Sequence, residues 1–394
     1  MQDCLTGETE SEPRHSSPAT AQRCMAAKPL GGETCVKFFV IGDITVDHIY
    51  FLNHIPTPGE DISPTRSTLQ PGGAGGTMAY YLAHLGHEVH LAARVGNDPF
   101  QALALQGVQA AGVKLESVQK DSSELTSTIT ILVTPDAERA MISGGGANRN
   151  LYPAELNQKL LESCNALLVS AYSLIGGSQR EYAMRAMEIA RIANVPVFVD
   201  LGTGAVNTAG TQLVEVIKSA DYLLMNQLEL SRITARDSIS ASLEGLRERG
   251  IKRVVVKVGA MGSIVWTPTE TELIEGYFID GVIDTTGSGD AFTAAFAHAI
   301  LEGLPMRQAA RYANVAGAIV ATHAGAQSAN LRHDNILERL GLTGGAPKPK
   351  TLKVPEVKAP EVKVPEVPAE PVSSQPEVAK LATKAKPIRR TVKS

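Results

Sequence analysis

The sequence is poor in cysteine and contains no long apolar run. Its 394 residues include 4 cysteines, which form no C-x-x-C pair and have no histidine pair near them. This pattern argues against a zinc site and against a disulfide framework, and it favours a reducing compartment. No apolar segment approaches the ~18 residues that a membrane-spanning helix requires. We therefore expect a cytoplasmic protein without a membrane span.

Two common nucleotide-binding loops are also missing. The chain contains no G-x-x-x-x-G-K-[ST] motif, which excludes a P-loop. The dinucleotide-binding pattern G-x-G-x-x-G is broken at Phe292 in one Gly-rich segment and at Met78 in another. Net charge is −4, although residues 346–394 carry 11 Lys and Arg against 5 Asp and Glu. The rest of the chain is therefore acidic, which argues against nucleic-acid binding as its main activity.

The two ends differ in composition from the middle of the chain. Residues 1–34 mix acidic residues, Ser, Thr and Pro without an apolar core, so we expect a disordered leader rather than a secretory signal. Residues 343–394 repeat Pro between alternating Glu and Lys, which predicts a disordered, extended tail. The basic end of the tail, residues 380–393, is either solvated surface or a weak attachment site for an acidic partner, nucleic acid or a membrane surface.

The middle of the chain alternates between two patterns. Apolar runs at 36–41, 89–95, 166–170, 195–200, 222–225 and 253–258 predict buried strands, and helical spacing follows several of them. Such alternation predicts an α/β fold with a largely parallel sheet between two helical layers. Residues 61–69 and 127–143 instead alternate polar and apolar residues, with a predicted hairpin turn at 136–138. These strands form either a lid over the carboxyl edge of the sheet or a surface hairpin without a function.

The segment with the clearest chemical meaning is DTTGSGD at 284–290, which follows an apolar stretch and precedes a predicted helix over 291–301. Gly287 and Gly289 let the backbone turn sharply and approach a ligand. The first N–H groups of the helix lack intrahelical partners and suit a phosphate. Asp290 then lies beside bound negative charge, where it could accept the proton of an attacking hydroxyl. The alternative is an ordinary helix N-terminus with Asp290 in the first turn.

This segment resembles the second signature of the ribokinase/PfkB family of carbohydrate kinases, although Ser288 stands where the family usually has Ala. The segments GGAGGT at 72–77, GDITVDHI at 42–49 and IPTPGE at 55–60 resemble other motifs of the family, in the expected order. The resemblance covers about residues 36–342. It implies a three-layer α/β/α ribokinase-like sandwich over 35–342, with a small β-sheet lid whose strands span about 49–70 and 127–143.

The resemblance also implies a role for individual residues. In the family, the final Asp is the catalytic base and the turn before it is the anion hole, which here are Asp290, Gly287, Ser288 and Gly289. The substrate would be held by Asp47, Thr45, Gly72, Gly73, Thr77 and Asn148. The nucleotide would lie near Asn226, Lys257, Gly259, Gly262 and Asn314. Glu229 would organise Mg²⁺ through water, and a monovalent cation such as K⁺ could bind near Asp284, Thr286 and Gly325.

Some of these residues also have a simpler interpretation. Asn226 and Glu229 have the spacing of a helix N-cap and its capping-box partner. Asp47 could simply cap the end of a strand. If it binds the substrate, its carboxylate would accept hydrogen bonds from two vicinal hydroxyls. His323 lies next to the predicted nucleotide pocket without a partner in sequence, and a packing role suits it better than a catalytic one.

Departures from the family pattern concern the substrate. Thr45 and Thr77 stand where ribokinases typically have Asn, and Ala74 replaces a Lys. Such changes alter specificity and leave the base and anion hole in place. No basic cluster suggests a second phosphate site, which argues against a sugar-phosphate substrate.

The sequence therefore predicts an ATP-dependent sugar kinase with Mg²⁺. A nucleoside kinase of the same family, or a non-catalytic member that acts through its tail, are the alternatives. Exposed edges of the lid strands favour a homodimer.

Overall fold

The computed structural model describes residues 35–135 and 139–342. The predicted leader, the hairpin turn at 136–138 and the tail lie outside the described residues. The strands are β1 (Lys37–Ile41), β2 (Thr45–Phe51), β3 (Arg66–Gly72), β4 (Glu88–Gly96), β5 (Val118–Asp121), β6 (Thr128–Val133), β7 (Arg139–Ser143), β8 (Ala166–Ser170), β9 (Val197–Asp200), β10 (Tyr222–Asn226), β11 (Val254–Lys257), β12 (Gly262–Thr267) and β13 (Glu270–Glu275).

The α-helices follow the strands in the alternation that the sequence predicts. They are α1 (Ala74–His84), α2 (Phe100–Ala110), α3 (Gln158–Glu162), α4 (Gly177–Ile192), α5 (Thr203–Ala209), α6 (Leu213–Ile217), α7 (Gln227–Thr234), α8 (Ile239–Glu248), α9 (Ser288–Leu301), α10 (Met306–Ala321) and α11 (His333–Arg339). Among residues 35–135 and 139–342, none of the helices combines the length and the apolar character that a bilayer crossing demands.

The large sheet has the strand order β13-β12-β11-β10-β9-β8-β1-β4-β5. Neighbouring strands from β11 to β5 pair in parallel, as the predicted βαβ units require. Strands β12 and β13 extend this sheet as an antiparallel edge. The sequence-based prediction did not include these two strands, and in β13 three glutamates interrupt the apolar side chains at a mostly exposed edge.

Helices cover both faces of this sheet, which confirms the predicted α/β/α sandwich. Side chains of β1 alternate between the faces: Phe38 and Val40 pack with α1, α2, α9, α10 and α11, whereas Phe39 and Ile41 pack with the helices from α3 to α8. All four side chains are fully buried. Burial on both faces explains why the parallel strands appear in the sequence as continuous apolar runs.

The small sheet has the strand order β3-β2-β6-β7. Strands β2 and β6 pair in parallel, whereas β3 and β7 add antiparallel edges. The boundaries differ from the prediction, since β2 begins at Thr45 and residues 61–65 belong to no strand. The substrate-binding candidates Thr45 and Asp47 therefore lie inside a strand of the small sheet.

A chain of histidines lies in the interior between the helices of one layer. His298 of α9 contacts His87 (Nδ1 to Nε2, 2.7 Å) and His333 of α11 (Nε2 to Nδ1, 3.2 Å), and the hydroxyl of Tyr312 lies 2.9 Å from His333 Nδ1. Burial lowers the pKa of His87 to about 4 and holds the pKa of His298 well below 6.5, because protonation would place charge in an apolar interior.

We expect this cluster to make the fold sensitive to acid. Between pH 6.5 and the lowered pKa of His298, the unfolded chain binds a proton that the folded protein excludes, so stability is lost as the pH falls. His298 alone lowers the free energy of unfolding by about 1.4 kcal/mol for each pH unit in this window. The experiment measures Tm from pH 7 to pH 4.5. The decrease in Tm should be smaller in His298→Phe than in wild type, whereas His323→Phe, at an exposed position, should show the same decrease as wild type. An equally steep fall in both variants would contradict this account.

Candidate active site

The loop DTTGSGD leads directly into α9. Gly287 precedes the helix with φ 78° and ψ −8°, and a Cβ at this position would lie 2.7 Å from the carbonyl oxygen of Ala326. Only glycine combines this left-handed conformation with such a close approach. The Ser288 N–H donates within the loop to Thr285 O at 3.2 Å, which leaves the N–H groups of Gly289 and Asp290 as the first-turn donors without intrahelical acceptors.

The Ser288 hydroxyl adds a second unusual feature to this loop. Its Oγ is buried and has no hydrogen-bond partner among the described residues. A buried hydroxyl without a partner is destabilising unless a ligand or water completes its bonding. Because this oxygen is buried, the donors that the structure offers to an oxyanion are the first-turn N–H groups of α9, and a role of Ser288 in the anion hole stays a prediction.

Asp290 is recessed but keeps part of its surface accessible. Burial is the main cause that raises the pKa of this carboxyl well above its usual value. The carboxylates of Asp200, Asp43 and Glu229 raise it further, whereas the ammonium of Lys257 lowers it. A carboxylate with a raised proton affinity is a better base at neutral pH than an exposed aspartate.

Lys257 and Asp200 form an ion pair next to this loop. The Lys257 Nζ lies 2.7 Å from Asp200 Oδ1 and 3.4 Å from the carbonyl oxygen of Gly289. The two side chains are 15% and 6% exposed. The structure directs the Lys257 ammonium to Asp200 and to the loop that precedes α9, and the predicted proximity of Lys257 to a nucleotide stays a prediction.

At the other end of the site, Asp47 lies under Gly72. The Thr45 hydroxyl donates to Asp47 Oδ1 at 2.7 Å, and burial raises the pKa of Asp47 to about 6. Thr45 pairs with Gly72 across strands β2 and β3, and a Cβ at Gly72 would collide with the Asp47 carboxylate. The small sheet thereby holds the Asp47 carboxylate against the backbone of Gly72, where glycine has no side chain that would prevent a ligand hydroxyl from approaching it.

Three further substrate candidates lie along Ile44 and the start of α1. The Asn148 side-chain amide makes two hydrogen bonds to the backbone of Ile44. Its Oδ1 accepts from the Ile44 N–H at 3.3 Å, and its Nδ2 donates to the Ile44 carbonyl oxygen at 2.8 Å. The Thr77 hydroxyl is buried in α1 without a partner among the described residues. Gly73 precedes α1 with φ 87°. The structure brings the predicted substrate residues together, and their contact with substrate stays a prediction.

Asn226 and Glu229 form the capping box that their spacing predicts. Asn226 Oδ1 accepts from Glu229 N, and Glu229 Oε2 accepts from Asn226 N, both at 2.8 Å. Glu229 Oε1 also accepts from the Thr203 hydroxyl at 2.9 Å and from Asn226 Nδ2 at 2.8 Å. Because protein donors occupy this carboxylate, which is 4% exposed, it does not fit as a direct metal ligand. Residues 35–135 and 139–342 contain no cluster of three or more His, Cys, Asp or Glu able to hold a metal ion.

The remaining nucleotide candidates lie at the antiparallel edge of the large sheet. Gly259 and Gly262 flank the turn between β11 and β12. The side-chain amide of Asn314 donates to Ile274 O at 3.2 Å and to Glu275 O at 3.1 Å, which ties α10 to β13. These contacts give Asn314 a structural role, and its contact with a nucleotide stays a prediction.

Arg139 joins the small sheet to the catalytic loop. From the start of β7, it donates to Asp284 Oδ1 at 3.2 Å and to the Thr286 hydroxyl at 2.7 Å, and it also contacts the Thr285 hydroxyl. The Asp284 carboxylate further accepts from the backbone N–H groups of Thr286 and Gly325, both at 2.9 Å. The predicted cation-site residues Asp284, Thr286 and Gly325 are thus adjacent, but the positive charge beside them is Arg139.

Sequence reasoning missed three charged residues of this site. Asp200 and Arg139 contact partners that lie 57 and 145 residues away in sequence, so no local pattern reveals them. Asp43 accepts from the backbone N–H groups of Ala74 and Gly75, at the start of α1. The available signal was position, because Asp43 and Asp200 follow or end apolar strands, where parallel sheets carry their functional side chains.

Comparison with known proteins identifies the family. Residues 37–333 match the model of the pfkB family carbohydrate kinases. The chain belongs to this family. It is 30% identical to a ribokinase of Arabidopsis thaliana over 289 residues, which is 71% of this chain and 74% of the relative. A nucleoside kinase of Methanothermobacter thermautotrophicus is 25% identical over 292 residues, or 73% of this chain and 90% of the relative.

A solved structure of Arabidopsis thaliana ribokinase complexed with ribose and ATP superposes with a TM-score of 0.68 at 25% identity. The match covers 78% of this chain and 99% of that one. The pfkB family membership and the fold agree with the expectations from the sequence. The protein is a phosphotransferase of the sugar-kinase class.

We expect Gly287→Ala to lower the free energy of unfolding by about 1–3 kcal/mol, the typical penalty for a non-glycine residue held in a strained backbone conformation. The added Cβ would also press on Ala326 O. Gly289→Ala is the matched control, because it lies inside α9 and its Cβ would have Lys257 Nζ as its nearest neighbour, at 3.5 Å. Urea unfolding of both variants measures the difference. Equal stability of the two variants would contradict this interpretation of the loop.

Proposed function

We propose that the protein transfers the γ-phosphoryl group of ATP to a hydroxyl of a sugar, with Asp290 as the base. The observation that carries this proposal is the position of Asp290 at the start of α9. Its carboxyl has a raised pKa and belongs to the same helical turn as the N–H groups of Gly289 and Asp290, which lack intrahelical acceptors. A base next to an oxyanion site is the arrangement that phosphoryl transfer to a hydroxyl requires.

In this mechanism, Asp47 and its surroundings hold the acceptor, and the acceptor hydroxyl faces Asp290. Its proton passes to the Asp290 carboxylate as its oxygen forms a bond to the γ-phosphorus. The bond from that phosphorus to the β,γ-bridging oxygen breaks, and ADP leaves. The N–H groups of Gly289 and Asp290 stabilise the equatorial oxygens as their charge develops.

Mg²⁺ is part of the proposal as a partner of ATP. Because Glu229 is occupied by protein donors, we assign the ion to the nucleotide phosphates and water, with Glu229 and Asn226 near its water shell. When bound, it would neutralise phosphate charge. A monovalent cation near Asp284 stays a prediction, as do a cytoplasmic location and a homodimer through the small sheet.

A neutral acceptor suits the charges of the substrate end. Asp43 and Asp47 are close enough for the charge of one to raise the pKa of the other. An acceptor that carries its own phosphate would be repelled there, whereas hydroxyls can donate to the carboxylates. The Arabidopsis relative is a ribokinase, so a pentose is our first candidate.

A nucleoside is the second candidate acceptor. The Thr45 hydroxyl is directed to Asp47, and the Thr77 hydroxyl has no partner within residues 35–135 and 139–342, so neither supplies the amide contacts of a typical ribokinase pocket. The match to a nucleoside kinase supports this option. A non-catalytic role through the tail is less consistent with the site, because a scaffold has no physical need for Asp290 or its donors.

We expect Asp290→Asn to reduce turnover by about 10²- to 10⁴-fold, because the amide cannot accept the hydroxyl proton. The assay follows ADP release with MgATP and K⁺ across D-ribose, 2-deoxy-D-ribose, D-fructose, sugar phosphates, adenosine and inosine. Asp334→Asn, at an exposed position in α11, is the matched control and should keep its activity. Full turnover in Asp290→Asn would show that the base is another group.

We also propose that the small sheet acts as a lid and that Arg139 holds it over the catalytic loop. Arg139→Met should increase ATP hydrolysis relative to acceptor phosphorylation, because water would enter the opened site. Arg66→Met is the matched control, since the guanidinium of Arg66 lies 4.1 Å from the ring centroid of Phe51 within the small sheet. The ratio of ADP to phosphorylated acceptor measures the effect. An unchanged ratio in Arg139→Met would refute the role of Arg139 as a lid contact.

A further inference from the structure

The ion pair of Lys257 and Asp200 occupies a place that its stabilising role does not explain. Lys257 ends β11 and Asp200 ends β9, with β10 between them in the sheet. Their contact of 2.7 Å lies at the carboxyl edge of the sheet, beside the catalytic loop. Buried ion pairs stabilise folds weakly, because removing both charges from water offsets much of their attraction. A specific use of the charge is therefore a better explanation.

The second contact of Lys257 points to that use. Its ammonium lies 3.4 Å from the carbonyl oxygen of Gly289, the residue immediately before Asp290. Gly289 belongs to the first turn of α9, where the helix dipole disfavours a cation. The carboxylates around Lys257 must compensate for this placement. The lysine is thus held against the dipole, in contact with the residue that precedes the proposed base.

Several charged or titratable groups act on Asp290 or are affected by its charge. They come from the segment after β1, from α1, from the segment after β8, from β9, from α7 and from β11: Asp43, Tyr81, Tyr172, Asp200, Glu229 and Lys257. Three of them are carboxylates that disfavour ionisation of Asp290, and Lys257 is the cation that favours it. Its charge therefore opposes the combined effect of its neighbours.

We propose that Lys257, oriented by Asp200, is a positioning residue that fixes Gly289 and keeps Asp290 ionised for its role as the base. This inference rests on the proposed function, because it assumes that Asp290 takes the proton of the acceptor.

The proposal predicts opposite effects for the two partners of one ion pair. Removing the ammonium leaves Asp290 among carboxylates, so its pKa should rise. Removing the Asp200 carboxylate takes away a repelling charge and leaves the ammonium, so the pKa should fall. A pair with only a structural role would show the same loss of stability in both variants without opposite titration shifts.

The decisive experiment titrates Asp290 directly in the ligand-free protein. Aspartate labelled with ¹³C at the carboxyl gives a resonance for Asp290, which is assigned by its absence from the spectrum of Asp290→Asn. Relative to wild type, the titration midpoint should rise by about 1 pH unit in Lys257→Met and fall by about 1 pH unit in Asp200→Asn. Lys257→Arg, which keeps the charge, should remain close to wild type.

A variant with one unpaired buried charge can fail to fold, so a double variant completes the design. Asp200→Asn combined with Lys257→Met has no unpaired charge at this position and should titrate near wild type. If Lys257→Met does not fold, the comparison of Asp200→Asn with the double variant isolates the lysine. The midpoint should then be about 1 pH unit higher in the double variant.

Equal midpoints in all these proteins, or shifts in the same direction for both single variants, would overturn the proposal and leave a structural ion pair. Failure of the proposed function is seen separately, as full turnover in Asp290→Asn. As a second readout, the acidic limb of kcat/KM against pH with MgATP and D-ribose should move with the titration midpoint. The ionisation of ATP is common to all variants and does not alter their differences.

Discussion

Parallel strands bring their carboxyl ends to one edge of the sheet, and the site depends on this constraint. Asp43 follows β1, whereas Asp200, Asn226 and Lys257 end β9, β10 and β11. The edge therefore gathers acidic side chains from distant parts of the chain. Burial is the main cause that raises the pKa of Asp290, and the charges of Asp200, Asp43 and Glu229 raise it further. Lys257 opposes these charges, so the proposed base has a compensating cation near it.

The catalytic loop is held by contacts at both of its ends. Gly287 fits against Ala326 O, and the Asp284 carboxylate binds the N–H groups of Thr286 and Gly325. Arg139 of the small sheet binds the same carboxylate. A displacement of the small sheet therefore acts directly on the segment that carries the anion hole. This coupling gives a physical route by which an acceptor bound against β2 could influence the phosphate end of the site.

Local patterns in the sequence were sufficient to predict most of the architecture. Apolar runs gave the parallel strands because both faces of the sheet are buried, and the spacing of Asn226 and Glu229 gave the capping box. The contacts of Lys257 and Arg139 could not be predicted, because they join segments that only the folded chain brings together. The edge strand β13 was missed because its mostly exposed side chains lack the apolar run of a buried strand, whereas β12 is largely buried and its short apolar run at 264–266 could have indicated it.

The proposed mechanism places specificity and chemistry in different parts of this molecule. The proposed reacting groups belong to α9 and to the carboxyl edge of the large sheet, whereas the substrate candidates Thr45 and Asp47 belong to the small sheet. The Thr45 hydroxyl donates a hydrogen bond to Asp47, so the Asp47 carboxylate has fewer lone pairs left to bind the hydroxyls of the acceptor substrate. Substitutions in β2 and at the start of α1 can therefore change the acceptor without disturbing Asp290. This separation explains why departures at Thr45 and Thr77 coexist with an intact catalytic loop.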